Sequence, residues 1–302
     1  WPRAGPLLAL LVVLAALVWR DAPFNLDGQP ADSWIYTAIS DEPAVFTAQP
    51  WGFRVLGPWL VHLLPAGVGF ERLSPAALAL TGALLFLYLR RWGSSPAVAL
   101  AGVAAFAFSA PVAVSIDNPY LCEPVTVLAE VTFLLAVQSG AGLGVLALLG
   151  VLGALSKEIL VVLLPLVYFE RRLRTSHARA LGAAAVVALP ALAAHVLMRA
   201  AWVPHLRTVY SPPDLGIVTT WLLPRLGEGE TGILLGGVLP LALLGALRRK
   251  SRPYLWAAGY LAAAFLFLPF VAWAYDPRPN RIPFFDATVR RLLIYALPVL
   301  LP

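Results

Sequence analysis

The sequence predicts an all-α, polytopic transmembrane helix bundle, and three observations carry that prediction. Of 302 residues, 60% are hydrophobic and 13% are charged, against roughly a quarter charged in an ordinary soluble domain. The mean hydropathy is +0.79. Too few polar residues exist to cover a water-exposed surface, which excludes a soluble enzyme, a disordered chain and a nucleic-acid-binding domain. Second, the apolar residues run in long Ala/Leu blocks near the ~20 residues that a spanning helix needs, not in the alternation of a β-barrel strand. Third, arginines gather in short loops between those blocks, the asymmetry that cytoplasmic loops carry. The net charge of +6 has its source there.

Spans are expected at 4–19, 74–89, 95–116, 118–138, 180–198, 231–247 and 254–275, with a short final one from Leu292. Arg3 before the 7–18 apolar stretch has the form of a secretory signal, but no small-x-small cleavage site follows Trp19, so the first helix is read as retained. The chain opens at Trp1 and stops at Pro302 inside an apolar run, and both ends read as cut. Arg90 and Arg91, then Arg171, Arg172, Arg174 and Arg179, then Arg248, Arg249, Lys250 and Arg252 form three basic loops. These orient the N-terminus to the cytoplasm and put 20–73, 199–230 and 276–291 outside. Among the acidic residues only Glu170 falls in a cytoplasmic loop.

Parity settles the stretch 142–169. As one helix it would carry the 170–179 arginines outside. As two short helices broken near Ser156-Lys157-Glu158 it returns them inside, and the total becomes about ten spans in a single transmembrane domain, 1–302. Such a break is tolerated only where it is buried in protein or lines a wet cavity.

The first outer loop, 20–73, is expected to hold two interfacial helices. In Asp32–Ser40, Trp34, Ile35, Ala38 and Ile39 share an apolar face, while Asp32, Ser33, Tyr36, Thr37 and Ser40 lie opposite. The stretch Arg54-Val-Leu-Gly-Pro58-Trp-Leu-Val-His62 is apolar but too short to span. Trp34, Trp51 and Trp59 suit headgroup level.

Charged residues in these places are candidates for chemistry, and each has a plainer reading. Asp27 starts a good turn, Asp27-Gly28-Gln29-Pro30; Asp32 is a natural helix cap. Either serves instead as a general base, and Tyr36 lies one turn beyond Asp32 on the same face. Arg54 snorkels or holds an anionic headgroup or phosphate ester, and His62 reads as a bystander. Glu123 and Glu130 share a face of the fourth span. A charge at bilayer depth costs roughly 2.5–3.5 kcal/mol, so each needs a partner or water. Lys157 pairs with Glu123 or Glu130, or else Lys157 and Glu158 line a polar cavity. Arg278, Arg281, Arg290 and Arg291 outnumber Asp276 and Asp286 in an outer loop, a bias that suits lipid phosphate. Arg207 and Arg225 add cations to the 199–230 loop.

No Gly-rich phosphate loop, His-Glu-x-x-His or Asp-x-Asp motif occurs. The four histidines are scattered over different loops and spans, and the single cysteine, Cys122, excludes an internal disulfide.

Three stretches carry a family resemblance: Asp27-x4-Asp32-x3-Tyr36, Trp51-Gly-Phe-Arg54-Val-Leu-Gly-Pro58, and Leu155-Ser-Lys157-Glu158-Ile-Leu. Together with one helix, an acidic outer loop and a following bundle, they resemble the GT-C superfamily of membrane glycosyltransferases across about residues 5–200. The resemblance implies a polyprenyl-phosphate sugar donor, an unidentified acceptor and extracytoplasmic chemistry at the plasma membrane. It makes Asp32 or Asp27 the base, with Tyr36 and Glu158 beside the substrate. Arg54, Lys157, Arg278, Arg281, Arg290 and Arg291 become the phosphate-binding candidates. It names no certain cofactor and leaves a divalent metal open. Two rivals stand beside it: a transporter or lipid flippase working through Glu123, Glu130, Lys157 and Glu158, and a non-catalytic scaffold.

Overall fold

The computed structural model of the chain describes residues 4–19, 31–44, 54–65 and 68–202, with Tyr295 and Pro298 besides. The chain divides into two compact units, residues 1–207 and 208–302. The helices below belong to the first. The spans expected at 231–247 and 254–275, and most of the one begun at Leu292, lie outside the described residues, as do Asp27, Trp51, Arg278, Arg281, Arg290 and Arg291.

The described residues form helices and turns without strands. In order they are α1 (Ala4–Trp19), α2 (Ala31–Asp41), α3 (Leu56–Leu63), α4 (Phe70–Arg91), α5 (Pro96–Ala107), α6 (Ala110–Asp117), α7 (Glu123–Gln138), α8 (Leu143–Ser156), a 3-10 segment (Glu158–Leu163), α9 (Pro165–Arg172) and α10 (His177–Trp202). Two of them, α4 and α10, contain 22-residue stretches long and apolar enough to cross a membrane, and α5 with α6 makes a third if the pair counts as one span.

Local chemistry sets the boundaries. Ser95 caps α5, its Oγ accepting from the Val98 amide at 3.3 Å, and Pro96 occupies the first turn. The span expected over 95–116 is bent by 52° where α5 gives way to α6. There Ser109 caps a new helix and Pro111 opens its first turn, so the chain restarts instead of continuing. The span expected over 118–138 becomes helical only at Glu123, with Pro124 in the first turn. Residues 118–122 form the preceding turn. The helices α4 and α7 both end on glycines in the left-handed region, Gly93 (φ 86°) and Gly140 (φ 69°). In each case the next amide reaches back to close the helix, Ser94 to Leu89 and Ala141 to Ala136.

The core lies where α4 packs on α1, α5 and α7, and where α8 packs on α7 and α10. Small residues let the axes approach. A Cβ on Gly82 would overlap the Val13 side chain of α1, and one on Gly150 would lie 3.6 Å from the Val187 carbonyl of α10. Outward, Leu7, Leu11 and Val18 of α1 and Leu181, Leu189, Val196 and Leu197 of α10 are exposed. That apolar exterior suits lipid, not water.

Candidate functional site

The helix α2 does not lie as its polarity pattern suggests. Ser33, Tyr36, Ile39 and Ser40 are all buried, whereas Trp34 is 62% exposed. The polar residues Ser33, Tyr36 and Ser40 are turned into the protein, and Ile39, expected on the apolar face with Trp34, joins them. The reason is polar partners supplied by the rest of the unit. Ser33 Oγ donates to Asn118 Oδ1 at 3.3 Å, and the same oxygen accepts the Tyr120 amide at 3.2 Å. Tyr36 and Ile39 share a buried cluster with Phe70, Tyr120 and Cys122. The Tyr120 hydroxyl donates to Glu71 of α4, and Ser74 Oγ donates to the Pro119 carbonyl. The turn before α7 is thus a dock for α2.

His62 makes a structural bond. Its Nδ1 lies 2.8 Å from the Ser40 carbonyl. A carbonyl only accepts, so Nδ1 carries the proton and clamps α3 to the end of α2. The clamp keeps α3 beside α2 and carries Arg54, half-buried just before α3, to the same region.

Beneath this dock sits the helix break. The helix α8 ends at Ser156, and Lys157 is extended (φ −166°, ψ 140°) before the 3-10 segment begins. Lys157 Nζ donates to Glu123 Oε1 at 2.6 Å, with side-chain exposures of 5% and 0%. Of the two pairings open to Lys157, the structure forms the one with Glu123. Glu123 is the first residue of α7, where the positive end of the helix dipole also favours a carboxylate. Its second oxygen lies 3.7 Å from Cys122 Sγ. The Tyr36 hydroxyl and the cations of Arg54 and Lys157 all fall within interaction range of that thiol.

Three of the residues singled out in the sequence, Tyr36, Arg54 and Lys157, therefore meet around Cys122 and Glu123. The helix containing Asp32 starts one residue earlier than expected, at Ala31. Asp32 thus lies in its first turn, one turn before Tyr36. Glu158 opens the 3-10 segment directly after Lys157. Cys122 as the meeting point was not read from the sequence. The usable signal was Glu123-Pro124, since proline favours the first turn of a helix and so marks a start there. Asp41 and Glu42 also escaped notice. They end α2 exposed, where the helix dipole disfavours acids, so helix stability does not account for them.

Glu130 behaves differently from Glu123. It is fully buried in α7, and neither carboxylate oxygen has a hydrogen-bond partner among the described residues. Among the described residues no three His, Cys, Asp or Glu side chains converge as a metal site would require.

Comparison with protein-family models, with curated proteins and with solved structures finds no match.

Proposed function

We propose that this chain is an integral membrane glycosyltransferase of GT-C type, a bundle of about ten spans with its N-terminus in the cytoplasm of the cell. It moves a sugar from a polyprenyl-phosphate donor to an acceptor on the extracytoplasmic side of the plasma membrane. One observation carries the reading. An acid-bearing outer-loop helix, α2, is docked on the bundle where a half-buried arginine and the Glu123–Lys157 pair converge. Sugar transfer from a phosphate needs a carboxylate and cations in one region, and α2 is the helix whose first turn contains Asp32.

In the proposed step Asp32, or Asp27, takes the proton from an acceptor hydroxyl, which requires hydrogen-bond reach. The acceptor oxygen forms the new bond to the anomeric carbon. The bond from that carbon to the phosphate oxygen breaks, and its electron pair leaves on the phosphate. Arg54 meets the charge that develops there. Lys157 is already paired with Glu123 at 2.6 Å, so its role is to hold the floor of the site. Arg278, Arg281, Arg290 and Arg291 are further phosphate-binding candidates.

The test is made in lipid nanodiscs with a panel of polyprenyl-phosphate sugars and a crude acceptor extract. Free polyprenyl phosphate is quantified by mass spectrometry. Release should depend on one donor and vanish in Asp32→Asn. Full release in both Asp32→Asn and Asp27→Asn removes the base assignment, and no release with no bound polyprenyl lipid removes the transferase reading. A second reading, transport, is favoured by Glu130 alone, because a buried carboxyl without a hydrogen-bond partner among the described residues suits a coupling proton or ion. Ion flux in proteoliposomes that is lost in Glu130→Gln, without sugar release, would support it.

A further inference from the structure

A second site lies at the other end of α7. The last turns of α4 and α7 flank an open groove of about 300 Å³ lined by Leu87, Arg90, Arg91, Leu135 and Ser139, all exposed but the half-buried Leu135. On α4 the order is leucine, then two arginines three and four residues on. On α7 it is leucine, then serine four residues on. At these spacings each set lies on one helix face, so the cleft is apolar on one side and cationic and hydroxylic about one helical turn away, roughly 5 Å. That is the polarity profile of an amphiphile's chain-to-headgroup junction.

The electrostatics favour an anion despite two helix C-termini. Each terminus contributes a charge of about −0.5; two arginines outweigh both. The arginine-rich surroundings point the same way. Arg174 is paired with Glu170 at 2.9 Å, so its charge is matched within the protein, whereas Arg171 and Arg90 each give only one N–H group to a backbone carbonyl, that of Ala141 and of Ser94. Arg91 makes no ion pair or hydrogen bond among the described residues, and Arg90 is held over the turn by donating to the Ser94 carbonyl. The fixed ends of the helices, each closed by a left-handed glycine, keep the cleft's walls in register.

We propose that this cleft binds one anionic glycerophospholipid. Arg90 and Arg91 take the phosphate diester, and one acyl chain lies along Leu87 and Leu135; the Ser139 hydroxyl donates to the Leu135 carbonyl at 2.5 Å and lines the groove without donating to the phosphate. Charge complementarity selects an anionic lipid over a zwitterionic one, and the leucines select a lipid over a water-soluble phosphate. This site does not depend on the transferase reading.

The test uses the full chain in nanodiscs of phosphatidylcholine with a minority of phosphatidylglycerol, the retained lipid being counted by native mass spectrometry after release into detergent. The wild type should keep phosphatidylglycerol. Arg90→Gln with Arg91→Gln should lower its retention about tenfold or more, while Arg172→Gln with Arg179→Gln, an equal charge change outside the cleft, should lower it less than twofold. Glycerol phosphate should fail to displace the lipid. Equal losses in the two pairs, no preference for phosphatidylglycerol in the wild type, or displacement by glycerol phosphate would each overturn the proposal. If the glutamine pair does not elute as folded protein, Ser139→Asp, which places a negative charge in the same cleft, is read in its place with the same expectation.

Discussion

Two ion pairs in this molecule have nearly the same length and opposite settings. Lys157 meets Glu123 at 2.6 Å with exposures of 5% and 0%. Arg174 meets Glu170 at 2.9 Å with exposures of 62% and 8%, one helical turn apart. Distance alone would rank them together. Burial separates them, because a buried charge that loses its partner keeps its desolvation cost, whereas an exposed one returns to water. The first pair joins a helix break to a helix start 34 residues away in sequence, and the second joins neighbours on one helix end.

The largest effect should follow Lys157→Ala. It strands Glu123 in the interior, and the expected destabilisation is about 3–5 kcal/mol. Adding Glu123→Gln should recover most of it, since the stranded charge is then gone. Thermal unfolding in detergent, followed by size-exclusion of the heated sample, reads both. A single variant as stable as wild type would mean that the pair is not closed in the membrane. Gly140→Ala should come next, at about 1–2 kcal/mol, because an alanine resists the left-handed backbone there. The added methyl itself has room, the nearest group being Arg174 at 3.5 Å, so recovery with Gly140→Asn, which tolerates this backbone better, would isolate the conformational cause.

Glu130 sharpens the contrast from the other side. It is as buried as Glu123 and on the same helix, yet has no hydrogen-bond partner among the described residues. Glu130→Leu should therefore leave stability unchanged or raise it by about 1 kcal/mol, since it removes an unsatisfied polar group without stranding another. A loss as large as that of Lys157→Ala would mean that Glu130 has a partner of equal weight, and the difference between the two carboxyls would disappear.

These positions also show what a single sequence can and cannot tell. The helical class and the interruption after Ser156 were legible, because long apolar blocks and a Lys-Glu step inside one of them leave few alternatives. That Lys157 needs a partner was legible too. Which carboxylate it takes was not, since Glu123 and Glu130 share a helix face and only the approach of α8 to α7 decides between them. The side that Ile39 takes was not legible for a related reason. A polarity pattern does not say which polar partners the rest of the chain supplies, and here Asn118 and the turn before α7 supply them within the protein. The bend after Ala107 was written in Ser109 and Pro111, but hydropathy over the whole of 95–116 outweighed it.

The smallest expected effect is the one that most directly tests why the two ion pairs differ. Arg174→Ala removes a guanidinium that is mostly in water, and Glu170, 8% exposed, keeps a further interaction within the protein once the arginine is gone. The cost should be about 0.2–0.5 kcal/mol, and it should shrink as salt is raised from 0.05 to 0.5 M, roughly as the screening length shortens. The cost of Lys157→Ala should not move over the same range, because mobile ions do not reach a pair that water does not reach. A salt-dependent Lys157 effect would mean that the helix break opens to solvent, and the distinction between the two pairs would then be one of degree.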